Sequence, residues 1–226
     1  MIGVFDSGDG GLCTVEKIRE LAPYQDVCFL ADRENAPYGT KTRGELISLT
    51  KRNLKRLKAE GAEKILIACC TASSIFPYLS EEEKRISVPI IEATARAAAE
   101  KTKLGKIGVI ATKATVLSGA FEKSIKEILP DAEVFTEEAQ ELVSLIEGGA
   151  RDGSVKGHTL QKIEKILSRI KNYSFDVLIL GCTHFPRLEK TISQIISCDM
   201  VSSSFIGAQE ILRHTDGKGS GKTVFL

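Results

Sequence analysis

One arrangement occurs twice in this chain, and few folds can accommodate it. The segment IGVFDSG starts at residue 2 and IGVIATKAT starts at 107, while ILIACCTAS starts at 65 and LILGCTHFP at 178. In each half, an apolar run ends in a short polar loop, and a later apolar run ends in a Cys-Thr loop. Further apolar runs lie at 27–31, 89–91 and 132–135, and TVFL closes the chain. Between these runs the spacing changes. Leu46, Ile47, Leu54 and Leu57 fall on one helical stripe within 43–60, and Leu160, Ile163, Ile166, Leu167 and Ile170 recur at threes and fours within 159–171.

Strands that are apolar throughout and alternate with helices predict an α/β protein whose parallel sheets are covered on both faces. The repeat divides that protein into two pseudo-symmetric lobes, each a parallel sheet flanked by helices, with a cleft between them. Ligands of open α/β sheets bind beyond the carboxyl ends of the strands. Facing lobes therefore bring Cys69 or Cys70 opposite Cys182 across one cleft.

Charge and cysteine content remove several function classes. Lys plus Arg number 31 against 30 for Asp plus Glu, so net charge offers nothing to nucleic acid or to an anionic membrane surface. No apolar run reaches the length of a membrane span, and MIGVFDSG lacks the basic-then-apolar order of a signal peptide, so a cytoplasmic protein is expected. Six cysteines, at 13, 28, 69, 70, 182 and 198, form no CxxC pair, and His158, His184 and His214 show no ligand spacing, so no metal site is expected. Buried apolar thiols or one or two reactive thiols remain.

Two glycine-rich stretches imitate nucleotide loops. DSGDGG at 6–11 fails as a dinucleotide fingerprint because the third glycine would fall on Cys13. Its expected use is a turn whose amides, with Ser7, hold a small anion. GKGSGKT at 217–223 fails as a phosphate loop because Asp216 stands where the first glycine belongs and only three residues follow Thr223. The turn ENAPYGTK at 34–41 follows the second strand on the same edge as the DSG loop and is placed to lend backbone amides to the cleft.

A thiol has an ordinary pKa near 8.5 and becomes a base when a neighbour takes its proton. Two thiols on opposite faces of one carbon remove a proton from one side and return it from the other, which inverts a stereocentre without nucleophilic attack. His184, two residues after Cys182, can exchange a proton with that thiol, and Asp6 can do the same in the first lobe.

GVFDSGDGGL, LADRENAPYGTKT, ACCTASS, IGVIATKATVLSGAF, LVSLIEGG and LILGCTHFPRL occur in that order. By these motifs the chain resembles the cofactor-independent aspartate/glutamate racemase family over nearly its whole length, and most closely the glutamate-specific members. The resemblance implies that Cys69 and Cys182 are the two catalytic thiols, that Asp6 and His184 assist them, and that Glu147 stands near the second. It also implies that Ser7, Pro37, Tyr38, Gly39, Cys70, Thr71, Thr112, Thr115 and Thr183 line an amino-acid pocket. The implied lobes are 1–92 with 206–226, and 93–205. No pyridoxal phosphate or other cofactor is implied, many relatives are homodimers, and a role in making D-glutamate for a cell wall follows from the same likeness.

Some positions depart from the family pattern. Cys70 replaces the usual Asn, whose amide helps bind substrate; a thiol cannot offer an amide's paired donor and acceptor. Losing one charge-assisted hydrogen bond costs about 1.5–3 kcal/mol. Asp9 stands where a small apolar residue is common, Ser202 where Asp is common, and Glu92 and Ala93 where a glycine turn is usual. Glutamate is the first expected substrate; the alternatives are aspartate or another carboxylate compound, a racemase-like binding protein without turnover, or a thiol switch in which Cys69 and Cys70 join as a vicinal disulfide.

Overall fold

The computed structural model describes residues 1–226. Nine strands form: β1 Ile2–Asp6, β2 Val27–Ala31, β3 Lys64–Ile67, β4 Ser87–Pro89, β5 Lys106–Ala111, β6 Glu133–Glu138, β7 Val177–Gly181, β8 Asp199–Ser202 and β9 Thr223–Phe225. They make two sheets, ordered β4-β3-β1-β2-β9 and β6-β5-β7-β8, with every pair parallel. The expected α/β class with two parallel sheets is therefore observed. β1, β2 and β7 are almost wholly buried, because helices cover both faces and leave no solvent side on which to alternate polar residues.

The order within each sheet fixes where a ligand can sit. In the first sheet β2 and β3 flank β1 on opposite sides, and in the second β6 and β7 flank β5 in the same way. A crevice opens beyond the carboxyl ends at each such reversal. β1 ends at Asp6, the loops after β1 and β3 carry Ser7–Gly8 and Cys69–Thr71, and those after β5 and β7 carry Thr112 and Cys182–His184. Both Cys-Thr loops thus lie at reversal points.

The helix Arg43–Ala59 begins with a reciprocal cap: the Thr42 side chain accepts from the Glu45 amide while Glu45 accepts from the Thr42 amide. It buries Leu46, Leu54 and Leu57 against the first sheet. The helix Gly157–Lys171 buries Ile163, Ile166, Leu167 and Ile170 against the second. Each such side chain contributes about 1.5–3 kcal/mol when fully buried. A third cluster, of 25 residues, takes Val4 and Val27 from the first sheet and Val109 and Val177 from the second. Helices Ile90–Lys101 and Ser203–Leu212 contribute Ala95, Ala98, Ala208 and Ile211 to it, so the sheets share a core.

Two local readings are corrected, and one strand was not anticipated. The run 89–91 is not a strand of its own: β4 ends at Pro89, and Ile90 and Ile91 open a helix that turns both into the core. Proline suits that place because β4 is an edge strand. β8 carries no apolar signal, since only Val201 of its four residues is buried. The Gly8 amide is not free for an anion; it donates to Asp6 Oδ1 at 2.9 Å. GKGSGKT forms a loop with Gly217 and Gly221 at positive φ and leads into β9, beside β2, as a terminal turn and strand should.

Candidate active site

Between the two sheets lies a cleft lined by Ser7, Pro37, Tyr38, Gly39, Cys69, Cys70, Thr71, Thr112, Glu147, Cys182, Thr183 and His184, all named from sequence. Asp6 and Thr115, also named, lie just behind this lining. Gly8, Ala36, Gln140, Val143 and Gly181 complete the wall. The cleft is narrow, with inner space for about one or two waters.

On the first-sheet side, Cys69 ends the loop after β3 and is 5% exposed, and its Sγ lies 3.4 Å from Ser7 Oγ. Burial, then the nearby Asp6 charge, pushes its pKa up to about 11. Asp6 is fully buried, and burial pushes its carboxyl up to about 7 despite the Gly8 amide, the Thr183 hydroxyl and the Gly11 amide. Asp6 Oδ2 has no hydrogen-bond partner. A thiol and a carboxyl poised near neutrality are thus buried near each other.

The second-sheet side mirrors this arrangement. Cys182 is 7% exposed, and its thiol is also pushed up, chiefly by burial. His184 Nδ1 lies 3.7 Å from Cys182 Sγ, and its Nε2 lies 3.4 Å from Glu147 Oε1. Burial, aided by Arg187, lowers the imidazole to about 4, so at neutral pH it is uncharged and able to accept a proton. Burial raises the Glu147 carboxyl from its ordinary value.

Two close approaches set the geometry. A Cβ on Gly10 would lie 2.5 Å from Thr183 Oγ1 and 2.6 Å from His184 Nδ1, so only glycine lets the loops meet there. A Cβ on Gly39 would lie 2.8 Å from Thr112 Cβ and would strike the Gln140 amide. The turn carrying Gly39 is fixed from below: Tyr38 donates to Asp32 Oδ2 at 2.6 Å, and Asn53 and Arg52 donate to the same oxygen at 2.8 Å each. The Thr71, Thr112 and Thr115 hydroxyls form a triangle with sides of 2.8, 3.0 and 2.8 Å, a set of donors that turns toward an anion by rotating hydroxyl hydrogens. At the mouth Asp9 pairs with Arg33 at 2.6 Å, and its carbonyl accepts from Arg187 at 3.3 Å, joining the two sides.

Cys70 is 2% exposed and packs into the shared apolar core, with Ser203 beside it, while still forming part of the cleft wall. Burial raises its thiol far above the ordinary range. Gln140 and Val143 were not named from sequence. The helix Gln140–Glu147 places residues 140, 143 and 147 on one face, so the other two join the wall once the fold sets Glu147 against the cleft.

Comparison with known proteins adds an independent line. The sequence profile described as Asp/Glu/Hydantoin racemase matches residues 16–211. The glutamate racemase of Desulforudis audaxviator is 36% identical over 203 residues, covering 88% of this chain and 72% of that protein. A glutamate racemase isoform from Bacillus anthracis superposes with a TM-score of 0.90 at 31% identity, covering 100% of this chain and 86% of that one. The Francisella tularensis glutamate racemase, solved in complex with D-glutamate, gives 0.86 at 30% identity, covering 99% of this chain and 85% of its own.

Proposed function

Since the chain belongs to the Asp/Glu/Hydantoin racemase family, and is most similar there to glutamate racemases, we propose that it interconverts L- and D-glutamate with Cys69 and Cys182 as paired acid and base. The observation that carries this reading is that two thiols, delivered by the reversal points of two different sheets, line one narrow cleft. Relatives solved with D-glutamate and with β-chloro-D-alanine make an amino acid the natural occupant. The lobes are taken as 1–92 with 206–226, and 93–205, one thiol on each.

Burial raises both thiols above the ordinary range, so each is protonated near neutral pH and needs a local acceptor. Asp6 accepts from Cys69: moving one proton between neighbours creates no net charge, and it removes the Asp6 charge that opposes the thiolate. His184 accepts from Cys182, and the imidazolium then faces Glu147. The thiolate on one face takes the α-proton while the thiol on the other returns one, and the roles exchange for the opposite enantiomer. Ser7, the threonines and turn amides at Tyr38 and Gly39 hold the carboxylates and stabilise the charge that develops at Cα in a site closed to water.

Serine at either thiol position is the direct test. Cys69→Ser and Cys182→Ser should each lower the racemisation rate by at least about a hundredfold, the contribution of a positioned acid or base. Wild-type turnover in either variant, followed by polarimetry, would refute the two-thiol mechanism.

A further inference from the structure

Gln140 sits in the cleft wall with no assigned task. Its Oε1 is buried and has no hydrogen-bond partner, an arrangement that is rare unless a ligand completes it. The side chain reaches across the cleft: a Cβ on Gly39 would lie 2.9 Å from Gln140 Cδ, so the amide rests against the Pro37–Thr40 turn beside Thr112. A half-turn of the terminal torsion exchanges oxygen and nitrogen at this point, so the position serves a donor as readily as an acceptor.

The cleft has two differently furnished ends. Asp6, Ser7, Cys69, Thr183 and His184 cluster around the thiols and Gly10. Gln140 belongs to the other group, with Gly39 and Thr112. A substrate whose Cα lies between the thiols extends its side chain toward that second end. The thiol of Cys70, held in the core beside Ser203, offers no amide there. Little free space remains, so an entering amino acid must move the Gln140 side chain, which is long and flexible and rests across the cleft.

From this, and resting on the glutamate reading above, we propose that Gln140 is a specificity-determining residue, its amide donating Nε2–H to the side-chain carboxylate of the substrate. The chain then selects its substrate by reach: the distance from Cα to the Gln140 amide sets how many methylenes the substrate carries.

Two variants and two substrates test this. Gln140→Leu keeps the volume and removes the polar head; Gln140→Asn keeps the amide and retracts it by one methylene. The leucine variant should raise KM for D-glutamate about tenfold or more, the worth of a hydrogen bond to a charged group, with kcat changed far less. The asparagine variant should shift the kcat/KM ratio toward 2-aminoadipate, one methylene longer than glutamate, by about tenfold. A wall residue of merely structural use would not move that ratio, and the polar variant keeps the test open if the leucine variant fails to fold. Wild-type turnover of glutamate with KM unmoved by leucine, or with the ratio unmoved by asparagine, overturns the role of Gln140 alone. No glutamate turnover by the wild type overturns the underlying reading as well.

Discussion

The two residues that do most to define the site chemically are Asp6 and His184, proposed above as proton acceptors behind the thiols, and they are tuned in opposite senses. Burial raises Asp6 to about 7 and lowers His184 to about 4, so both favour their uncharged forms. For Asp6 this has a consequence for stability. Its folded pKa lies above its ordinary 3.8, so its stabilising contribution is fully present below about pH 4 and is lost as pH rises through about 7. Asparagine mimics the protonated form and escapes the loss. Asp6→Asn should therefore match the wild type near pH 4 and exceed it by a few kcal/mol, about 4, above pH 7, as read from urea unfolding across that range. A stability difference that does not change with pH would contradict the assignment. The same substitution should remove an acid limb near pH 7 from the kcat/KM profile.

At the level of elements, the site depends on loops that approach more closely than side chains allow. Gly10, in the 3₁₀ turn Asp9–Gly11, faces Thr183 and His184 of the opposite sheet. Gly10→Ala should push His184 off its place beside Cys182 and lower kcat/KM by up to about a hundredfold, the effect of displacing a catalytic group by an ångström. Circular dichroism should show the fold retained; unchanged kinetics would mean that the loops need not meet for catalysis. These elements were unequally legible in the sequence. β1, β2, β5 and β7 announce themselves because burial on both faces demands unbroken apolar runs. β8 and much of β6 lie at a sheet edge, where partial exposure tolerates Asp199 or Glu133 and dilutes the signal. The Cys-Thr loops were visible because they repeat. Gln140 was not, because a single glutamine after an edge strand looks like any surface residue until the opposite lobe is in place.

Across the whole molecule, two sheets are held by one shared core while their strand ends converge on a cleft with almost no free space. Residues from both sheets and from helices Ile90–Lys101 and Ser203–Leu212 interlock beneath that cleft. An amino acid therefore enters only when the walls part, and the parts of the wall least tied to the core are the Gln140 side chain and the strap from Asp9 to Arg33 and Arg187. Closure then excludes water from a carbon whose proton is to be removed, and in that dry space the hydroxyls and amides act with most force. The spatial pairing of the lobes could be read from the spacing of the repeat, but the depth of closure could not, since it depends on which side chains meet across the gap.

The central claim is that the paired thiols deprotonate glutamate at Cα. Proton NMR of L-glutamate and of D-glutamate, each in D2O with reduced protein, tests it most directly. The account predicts that the α-proton signal is lost from both enantiomers while optical rotation decays in parallel. Retention of the α-proton of both by folded, reduced protein would contradict it.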